Sequence, residues 1–357
     1  MTKVHNFSPG PSKLPQAVIE TVEKSVNNYK NTGKSILEIS HRSNEFGEIL
    51  NEIEINFSKL FDLPKDINIL LLQGGATFQN SFIPMNISAD KTLGCFVTGT
   101  WGNKTSEDYS KISNSFEIID GRSQDLMKYL DEGFDGFRNV DYLHMTSNET
   151  IEGVQIKEFN RINHKNLIID MSSDLGSYKF NFDNLSYIYA GAQKNMGVPG
   201  VTICLVKDDF LIDTDNPKYL NLKQLTESKS ILNTPPTLSI YVLNLITHWM
   251  IEMGGIEYFQ IKSENQSKKM YDFIDNNSEI LKCNVDLNFR SKSNIVFNFL
   301  KDSQNKEFID LAIENGIIGI NGHRSVGGIR VSLFNSVDDD MFEYFMNFFK
   351  KYISERK

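Results

Sequence analysis

Cysteine is scarce in this chain: only three occur among 357 residues, and they stand far apart. Cys95, Cys204 and Cys283 show neither C-x-x-C nor histidine-rich spacing, so the sequence offers no disulfide framework and no metal-binding motif. An odd, scattered set of thiols in a chain of this length predicts reduced cysteines and a cytoplasmic protein. We expect no metal at the functional site.

Positive charge is also in deficit, since 37 Lys and Arg stand against 46 Asp and Glu, for a net charge of −9. Nucleic acids and anionic membranes need a basic face, so neither is an expected partner. The N-terminal sequence lacks the apolar run of a signal peptide, and no apolar run is long enough to span a bilayer. Small anionic ligands remain compatible with this composition, because they need only a local cluster of positive charge.

What the chain does contain is a series of short apolar runs separated by longer polar or helical segments. Most of the runs are continuously apolar, as in strands that are covered on both faces. This alternation predicts an α/β fold with a mainly parallel sheet, in which ligands bind beyond the carboxyl ends of the strands. The runs are Asn68–Gln73, Leu93–Gly99, Asp141–Thr146, Asn166–Asp170, Tyr187–Ala190 and Thr202–Val206.

The pattern changes after a long helix with prolines at its start, predicted over Asn233–Gly255. From Ile256 onward, helices alternate with strands at Asn294–Leu300 and Gly328–Phe334, which predicts a smaller α+β domain. We therefore expect a large domain over residues 1–255 and a small C-terminal domain over residues 256–357. The N-terminal segment is expected to contact the small domain.

Chemically suggestive residues follow several predicted strands, although each has an ordinary explanation by itself. Gly74 and Gly75 form either a tight turn or, at a helix start, an anion cradle. Trp101 is either a core residue or a surface for stacking a ring, and Asp170 either caps a helix or takes part in chemistry. Lys194, in "AGAQKN", has no carboxylate neighbour in sequence, and lysine is rarely buried unless it is paired or chemically used.

Asp170 and Lys194 together favour chemistry over these ordinary explanations. A buried lysine has a lowered pKa and offers a neutral amine nucleophile. Pyridoxal phosphate (PLP) needs such a lysine for its aldehyde, a carboxylate for its ring nitrogen and donors for its phosphate. The glycine cradle and the flat face of Trp101 supply the remaining parts. The sequence therefore predicts a PLP enzyme.

Seven short motifs then indicate a known protein family. "NFSPGP", "SHRSNEF", "LQGGAT", "SNETIEG", "AGAQKN", "NTPPT" and "GHRSVGGIR" occur in the order and with the spacing of the phosphoserine aminotransferases. The chain resembles that family almost from end to end. The resemblance implies the aspartate-aminotransferase-like fold (PLP fold type I, class V): a large domain with a mainly parallel sheet and a small α+β C-terminal domain. It also implies a homodimer with shared active sites.

The resemblance further implies roles for particular residues around PLP. Lys194 would hold the cofactor covalently and move the Cα proton, with Asp170 on the ring nitrogen and Trp101 stacked on the ring. Thr150 would bond the ring hydroxyl. The cofactor phosphate would lie on Gly75, Ala76, Thr77 and Gln193, while Asn233 and Thr234 would reach the phosphate in the neighbouring subunit.

The implied substrates are L-glutamate and 3-phosphohydroxypyruvate, each with two anionic ends, so the pocket needs separated cations. The arginine fork suits carboxylate and phosphate because it donates two parallel hydrogen bonds. By resemblance, Arg330 would bind the α-carboxylate. The substrate-binding residues would further include Ser8, His41, Arg42, His323 and Arg324, some of them contributed across the dimer. The reaction would serve L-serine biosynthesis, and some members of the family also act in vitamin B6 (pyridoxine) synthesis.

The sequence departs from the family at Thr77, where many members have arginine, so one cation for the substrate phosphate is absent. Two alternative functions are weighed against the transaminase. Another class V PLP enzyme, such as a serine–glyoxylate-type aminotransferase or a desulfurase, shares the fold, but a desulfurase needs a cysteine in a mobile loop near the pocket. A catalytically silent PLP-binding protein is expected to have lost Lys194, Asp170 or the arginines, and all are present.

Overall fold

The computed structural model describes residues 4–122, 126–130 and 135–356. Within these residues the strands are β1 His5–Asn6, β2 Ile67–Leu72, β3 Thr92–Val97, β4 Ser115–Asp120, β5 Tyr142–Thr146, β6 Asn148–Glu149, β7 Val154–Gln155, β8 Leu167–Asp170, β9 Leu185–Gly191, β10 Thr202–Lys207, β11 Leu281–Lys282, β12 Asn294–Phe299, β13 Ile317–Ile318 and β14 Ile329–Ser332. The α-helices are α1 Gln16–Asn28, α2 Asn44–Phe61, α3 Gly75–Met85, α4 Thr100–Ile112, α5 Met127–Leu130, α6 Leu222–Glu227, α7 Thr237–Glu252, α8 Gly255–Asp275, α9 Asp302–Glu314 and α10 Asp339–Ser354.

A seven-stranded sheet in the order β2-β10-β9-β8-β5-β3-β4 forms the centre of the described structure. β10 runs antiparallel to both of its neighbours, and the other pairings are parallel. The carboxyl ends of β2, β3, β5, β8 and β9 therefore lie at the same edge of the sheet. The prediction of a mainly parallel α/β sheet is confirmed, and each of the six predicted runs overlaps one of its strands.

Both faces of the sheet are covered, which explains why its strands are continuously apolar. Successive residues point to opposite faces. Leu71, Ile169 and Ile188 belong to one buried cluster, and Leu70, Ile168 and Tyr187 belong to a second cluster on the other face. α2 and α7 pack together within the first cluster. Packing on both faces fixes the positions of the strands, and therefore the positions of the loops that follow them.

A third apolar cluster is built from the C-terminal part of the chain. It contains β12, β14 and α10, with Phe297, Phe345 and Phe349 fully buried, and it also includes Phe7 from the N-terminal segment. β1 pairs in parallel with β13, His5 opposite Ile317. The domain boundary predicted between residues 255 and 256 stays a prediction.

Besides several two-residue strands, β4 and α7 differ from the sequence expectations. β4 (Ser115–Asp120) was not expected, because it is an edge strand that pairs with β3 alone among the described strands, and polar residues interrupt its apolar ones. The helix expected from Asn233 begins at Thr237, because Pro235 and Pro236 lack the backbone N–H that a helix interior requires. Among the described residues, none of the helices combines the length and apolarity needed to cross a membrane.

Candidate active site

A cavity of about 540 Å³ lies at the edge of the sheet where the parallel strands end. Loops after β2, β3, β5, β8 and β9 contribute to it, together with Gly10 near the N-terminus and Arg330 of β14. Most of the predicted site residues line it: Gly75, Ala76, Thr77, Trp101, Thr150, Asp170, Gln193, Lys194, His323 and Arg330. The topology of the fold thus assembles residues that lie far apart in the sequence.

Lys194 and Asp170 face the cavity with opposite shifts in pKa. Burial lowers the pKa of the Lys194 amine, and the nearby charge of Asp170 opposes this shift. Burial raises the pKa of Asp170, against the charge of Lys194 and a 2.8 Å hydrogen bond from the Ser172 N–H to Oδ1. A lysine whose burial favours the neutral amine therefore shares the cavity with a carboxylate held by its own loop.

The backbone of Lys194 is held by the N-terminal segment. The Ser12 N–H donates to the carbonyl of Gln193 at 2.9 Å, and the Ser12 hydroxyl donates to the carbonyl of Lys194. Gly10 lies so near the Lys194 side chain that a Cβ on it would meet Lys194 Cγ at 3.4 Å. Pro9 and Gly10 of the "NFSPGP" motif therefore line the cavity next to the Lys194 side chain.

The loop after β2 forms the expected cradle at the start of α3. Gly74 and Gly75 adopt φ of 97° and 68°, which favours glycine, and a Cβ on Gly74 would meet Phe78 Cβ at 2.5 Å. The first N–H groups of a helix have no partner within the helix, so those of Gly75, Ala76 and Thr77 are available to an anion. Open space lies beside Gly75, where a Cβ would have no neighbour within 4 Å.

Trp101, in the first turn of α4, presents its ring to the cavity. Its Nε1–H donates to Thr150 Oγ1 at 2.9 Å. Since that hydroxyl oxygen accepts from the indole, its own O–H is left to donate to a ligand. The Nζ of Lys194 lies 5.8 Å from the centroid of the Trp101 ring, and the Nζ of Lys104 lies 4.4 Å from it.

Arg330 is the buried cation of the site, with only 7% of its surface exposed. One of its terminal nitrogens donates to the carbonyl of Thr150 at 3.3 Å, while Nε has no hydrogen-bond partner among the described residues. Burial lowers the pKa of Arg330, and Glu152 opposes this shift. An arginine with unused donors that faces a cavity is suited to bind a carboxylate.

Six predicted residues do not line the cavity of the single chain: Ser8, His41, Arg42, Asn233, Thr234 and Arg324. Arg42, Asn233, Thr234 and Arg324 are exposed. Ser8 lies against Gly319, and the neighbouring Pro9 and Gly10 line the cavity in its place. The roles predicted for these six residues stay predictions.

Several polar residues of the cavity were not expected from the sequence: Lys104, Thr146, Asn148, Ser172 and Ser173. Thr146 Oγ1 is buried without a hydrogen-bond partner in the part of the chain described here. The signal that could have identified four of them is position, since Thr146 ends β5 and Asn148 comes two residues later, while Ser172 and Ser173 follow Asp170 at the same edge of the sheet.

The fold and this site define a class of enzyme, and the comparison with known families agrees. The family model described as "Aminotransferase class-V" matches residues 4–345. The chain belongs to the class V aminotransferase family.

Full-length relatives narrow the comparison within that family. "Phosphoserine aminotransferase" of Bacillus cereus is 36% identical, covering 100% of both chains, and that of Geobacillus kaustophilus is 36% identical over 98% of this chain and 99% of its own. The solved phosphoserine aminotransferase of Bacillus circulans subsp. alkalophilus superposes with a TM-score of 0.92 at 32% identity, covering 99% of both chains. A PLP-bound one from Trichomonas vaginalis gives 0.88 at 27% identity, covering 98% of this chain and 100% of its own. The resemblance predicted from the seven motifs is confirmed.

Proposed function

We propose that this chain is a PLP-dependent transaminase that interconverts 3-phosphohydroxypyruvate and L-glutamate with O-phospho-L-serine and 2-oxoglutarate, in L-serine biosynthesis. The observation that carries the proposal is the convergence of Lys194, Asp170, the start of α3 and Arg330 on one cavity. The full-length similarity to phosphoserine aminotransferases supports the choice of substrates.

The residues present fit PLP. The amine of Lys194 suits its aldehyde, and the carboxylate of Asp170 suits its ring nitrogen. The first N–H groups of α3 and the side chain of Gln193 offer donors for its phosphate. The Trp101 ring gives a flat face beside the lysine, and the Thr150 hydroxyl has a proton left to donate to the ring hydroxyl.

When bound, PLP supplies the aldehyde to which the amino acid attaches and a ring that accepts the electrons released at Cα. Burial lowers the pKa of the Lys194 amine and so favours its neutral form, and Nζ would accept the proton removed from Cα of the amino acid and, in the reverse half of the reaction, would donate a proton to Cα of the keto acid. Asp170 stabilises a proton on the ring nitrogen by its negative charge. Burial makes that charge effective, because water does not screen it.

Arg330 binds the α-carboxylate of the substrate, and its partnerless Nε and low exposure make it ready to do so. His323 lines the same cavity and contacts the distal anionic group. We propose a homodimer, in which His41, Arg42 and Arg324 complete the site for phosphate or side-chain carboxylate and Ser8 supports it. Asn233 and Thr234 would then reach the cofactor phosphate of the partner subunit.

Thr77 stands where many family members have arginine, so the cations just named carry a larger share of phosphate binding in this chain. We further propose a cytoplasmic location and a division into domains 1–255 and 256–357. The desulfurase alternative lacks support, because Cys95 and Cys204 are buried in strands of the central sheet. Cys283 does not line the cavity.

The test is a visible absorbance titration of the purified, PLP-loaded protein with O-phospho-L-serine, L-glutamate, L-alanine and L-serine in separate cuvettes. We expect the first two amino acids alone to remove the band of the lysine-bound cofactor. A response to alanine or to unphosphorylated serine would reject the substrates but keep the cofactor. A protein with no coloured band after added PLP would reject the cofactor as well.

A further inference from the structure

Trp101 is held at both ends by two consecutive residues of the loop after β5. The backbone N–H groups of Trp101 and Gly102 donate to Oε2 and Oε1 of Glu149, each at 2.8 Å. The indole Nε1–H donates to Thr150 Oγ1 at 2.9 Å. Glu149 thus fixes where the side chain leaves the helix, and Thr150 fixes the far edge of its ring.

Glu149 is a costly residue to keep in this place. Its side chain is 0% exposed, and the charges of Lys194 and Arg122 attract it without forming an ion pair with it among the described residues. Burial raises the pKa of Glu149 to about 8, although the Gly102 and Trp101 N–H groups act against the shift. A buried carboxyl without an ion-pair partner in contact destabilises a fold unless its hydrogen bonds compensate.

Glu149 shares the capping of α4 with a second carboxylate, since Glu149 accepts from the second and third N–H groups of the helix. Glu152 accepts a 3.0 Å hydrogen bond from the first, the Thr100 N–H. The chain also keeps glycines on both sides of the Glu149 carboxylate. A Cβ on Gly99 would meet Glu149 Cδ at 2.6 Å, and one on Gly102 would meet Oε1 at 3.1 Å. The local sequence is therefore shaped around this one side chain.

The same short segment also reaches the substrate side of the cavity. Arg330 donates to the carbonyl of Thr150 at 3.3 Å, so Thr150 contacts both the aromatic ring and the buried arginine. The peptide that joins Glu149 to Thr150 therefore connects the surface for the cofactor ring with the cation for the substrate carboxylate. A shift of Glu149 would be passed to both.

We propose that Glu149 is a positioning residue that holds Trp101 in the orientation needed to stack on the cofactor ring, even before the cofactor binds. The use of that orientation rests on the proposed function. The orientation itself does not, because every contact that fixes it belongs to the chain alone. Replacing Glu149 should therefore loosen Trp101 in the cofactor-free protein and weaken PLP binding as a consequence.

The first measurement uses cofactor-free protein, in which Trp101 and Trp249 are the two tryptophans. In a Trp249→Phe background, fluorescence reports Trp101 alone. Glu149→Gln keeps the size of the side chain but places an amide N–H₂ against one of the two backbone donors. Glu152→Gln is the matched control, because it removes a carboxylate from the same helix start without touching Trp101. We expect lower anisotropy and stronger acrylamide quenching in the first variant only.

The second measurement is the dissociation constant of PLP for the same variants with Trp249 restored. Loss of one hydrogen bond that leaves a buried backbone donor unpaired predicts an increase of about tenfold for Glu149→Gln and little change for Glu152→Gln. Equal behaviour of the two variants in both measurements would overturn the proposal. If neither Glu149→Gln nor Glu149→Asp gives folded protein while Glu152→Gln does, the residue is structural, and the proposal also fails. If the parent protein itself binds no PLP, the proposed function fails, but the fluorescence comparison still decides the role of Glu149.

Discussion

Replacing Arg330 should destroy activity and, at the same time, stabilise the fold. The side chain is 7% exposed, makes one hydrogen bond to Thr150 and leaves Nε without a partner among the described residues. Glu152 attracts it electrostatically without forming a hydrogen bond to it. An uncompensated buried charge costs several kcal/mol, and only part of that cost is offset here. Arg330→Met fills similar space without charge, so we expect the free energy of unfolding to rise by about 1–3 kcal/mol.

The effect on kcat/KM follows from the loss of the paired hydrogen bonds that the Arg330 guanidinium donates to the substrate carboxylate. Two charge-assisted hydrogen bonds to a carboxylate are worth about 3–5 kcal/mol together, which corresponds to a decrease in kcat/KM of roughly 10²- to 10⁴-fold. Arg330→Lys keeps the charge but loses the paired geometry, so its kcat/KM should lie between those of the wild type and Arg330→Met.

Arg290 provides a matched control with the opposite expectation. Its side chain is 10% exposed, and its two terminal nitrogens donate to Asp275 at 2.7 and 2.9 Å. Arg290→Met breaks a made ion pair, so the free energy of unfolding should fall by about 1–2 kcal/mol, a value reduced because Asp275 is 46% exposed. Arg290 lies outside the cavity, so kcat/KM should stay close to that of the wild type.

Both effects can be measured on the same preparations. Urea unfolding of cofactor-free protein gives the stability, and formation of L-glutamate from O-phospho-L-serine and 2-oxoglutarate gives kcat/KM. The reasoning is refuted if Arg330→Met unfolds at lower urea than the wild type, as Arg290→Met should, and retains most of its activity. In that case Arg330 is a structural residue, and another cation binds the substrate carboxylate.

The sequence was sufficient to predict most of the central sheet, because its strands are buried on both faces and their apolar runs are continuous. β4 escaped prediction for the opposite physical reason: it lies at the edge, half of its residues are exposed, and polar residues break up the apolar run in "SFEIID". The start of α7 was misplaced by four residues, because two prolines and a turn precede it. Exposure and local backbone chemistry therefore set the limit of prediction for the fold.

The candidate site divides in a similar way. Lys194, Asp170 and the glycine cradle could be found because each directly follows a strand, and parallel strands bring such positions together. The role of Glu149 could not be found, because it depends on a side chain that crosses from one loop to the backbone of a helix almost 50 residues earlier. The periodicity of a sequence does not show which backbone groups a side chain will bind. Residues that would be shared between subunits lie beyond what one chain can place.

Two further predictions concern Lys194 and His144. Lys194→Ala should abolish transamination but still bind PLP non-covalently. Borohydride reduction should therefore leave a PLP mass adduct on the wild type and on the control Lys104→Ala, but not on Lys194→Ala. An adduct on Lys194→Ala would identify another lysine as the attachment site. His144 is buried between Cys95 and Tyr189, and burial lowers its pKa from 6.5 to about 3. Below pH 6.5 the unfolded chain therefore binds a proton at His144 that the folded chain does not bind. The free energy of unfolding therefore falls as the pH drops from 6.5 towards 3. Between pH 6.5 and 5 this loss amounts to roughly 2 kcal/mol of the free energy of unfolding. Burial raises the pKa of the Asp174 carboxyl to about 6, which changes stability in the opposite direction, so the slope of the wild type alone does not isolate the histidine. The comparison with His144→Gln does, because both proteins share every other titrating group. Urea unfolding at both pH values should show a smaller loss for the variant, and equal losses would mean that His144 takes up its proton in the folded state as readily as in the unfolded one.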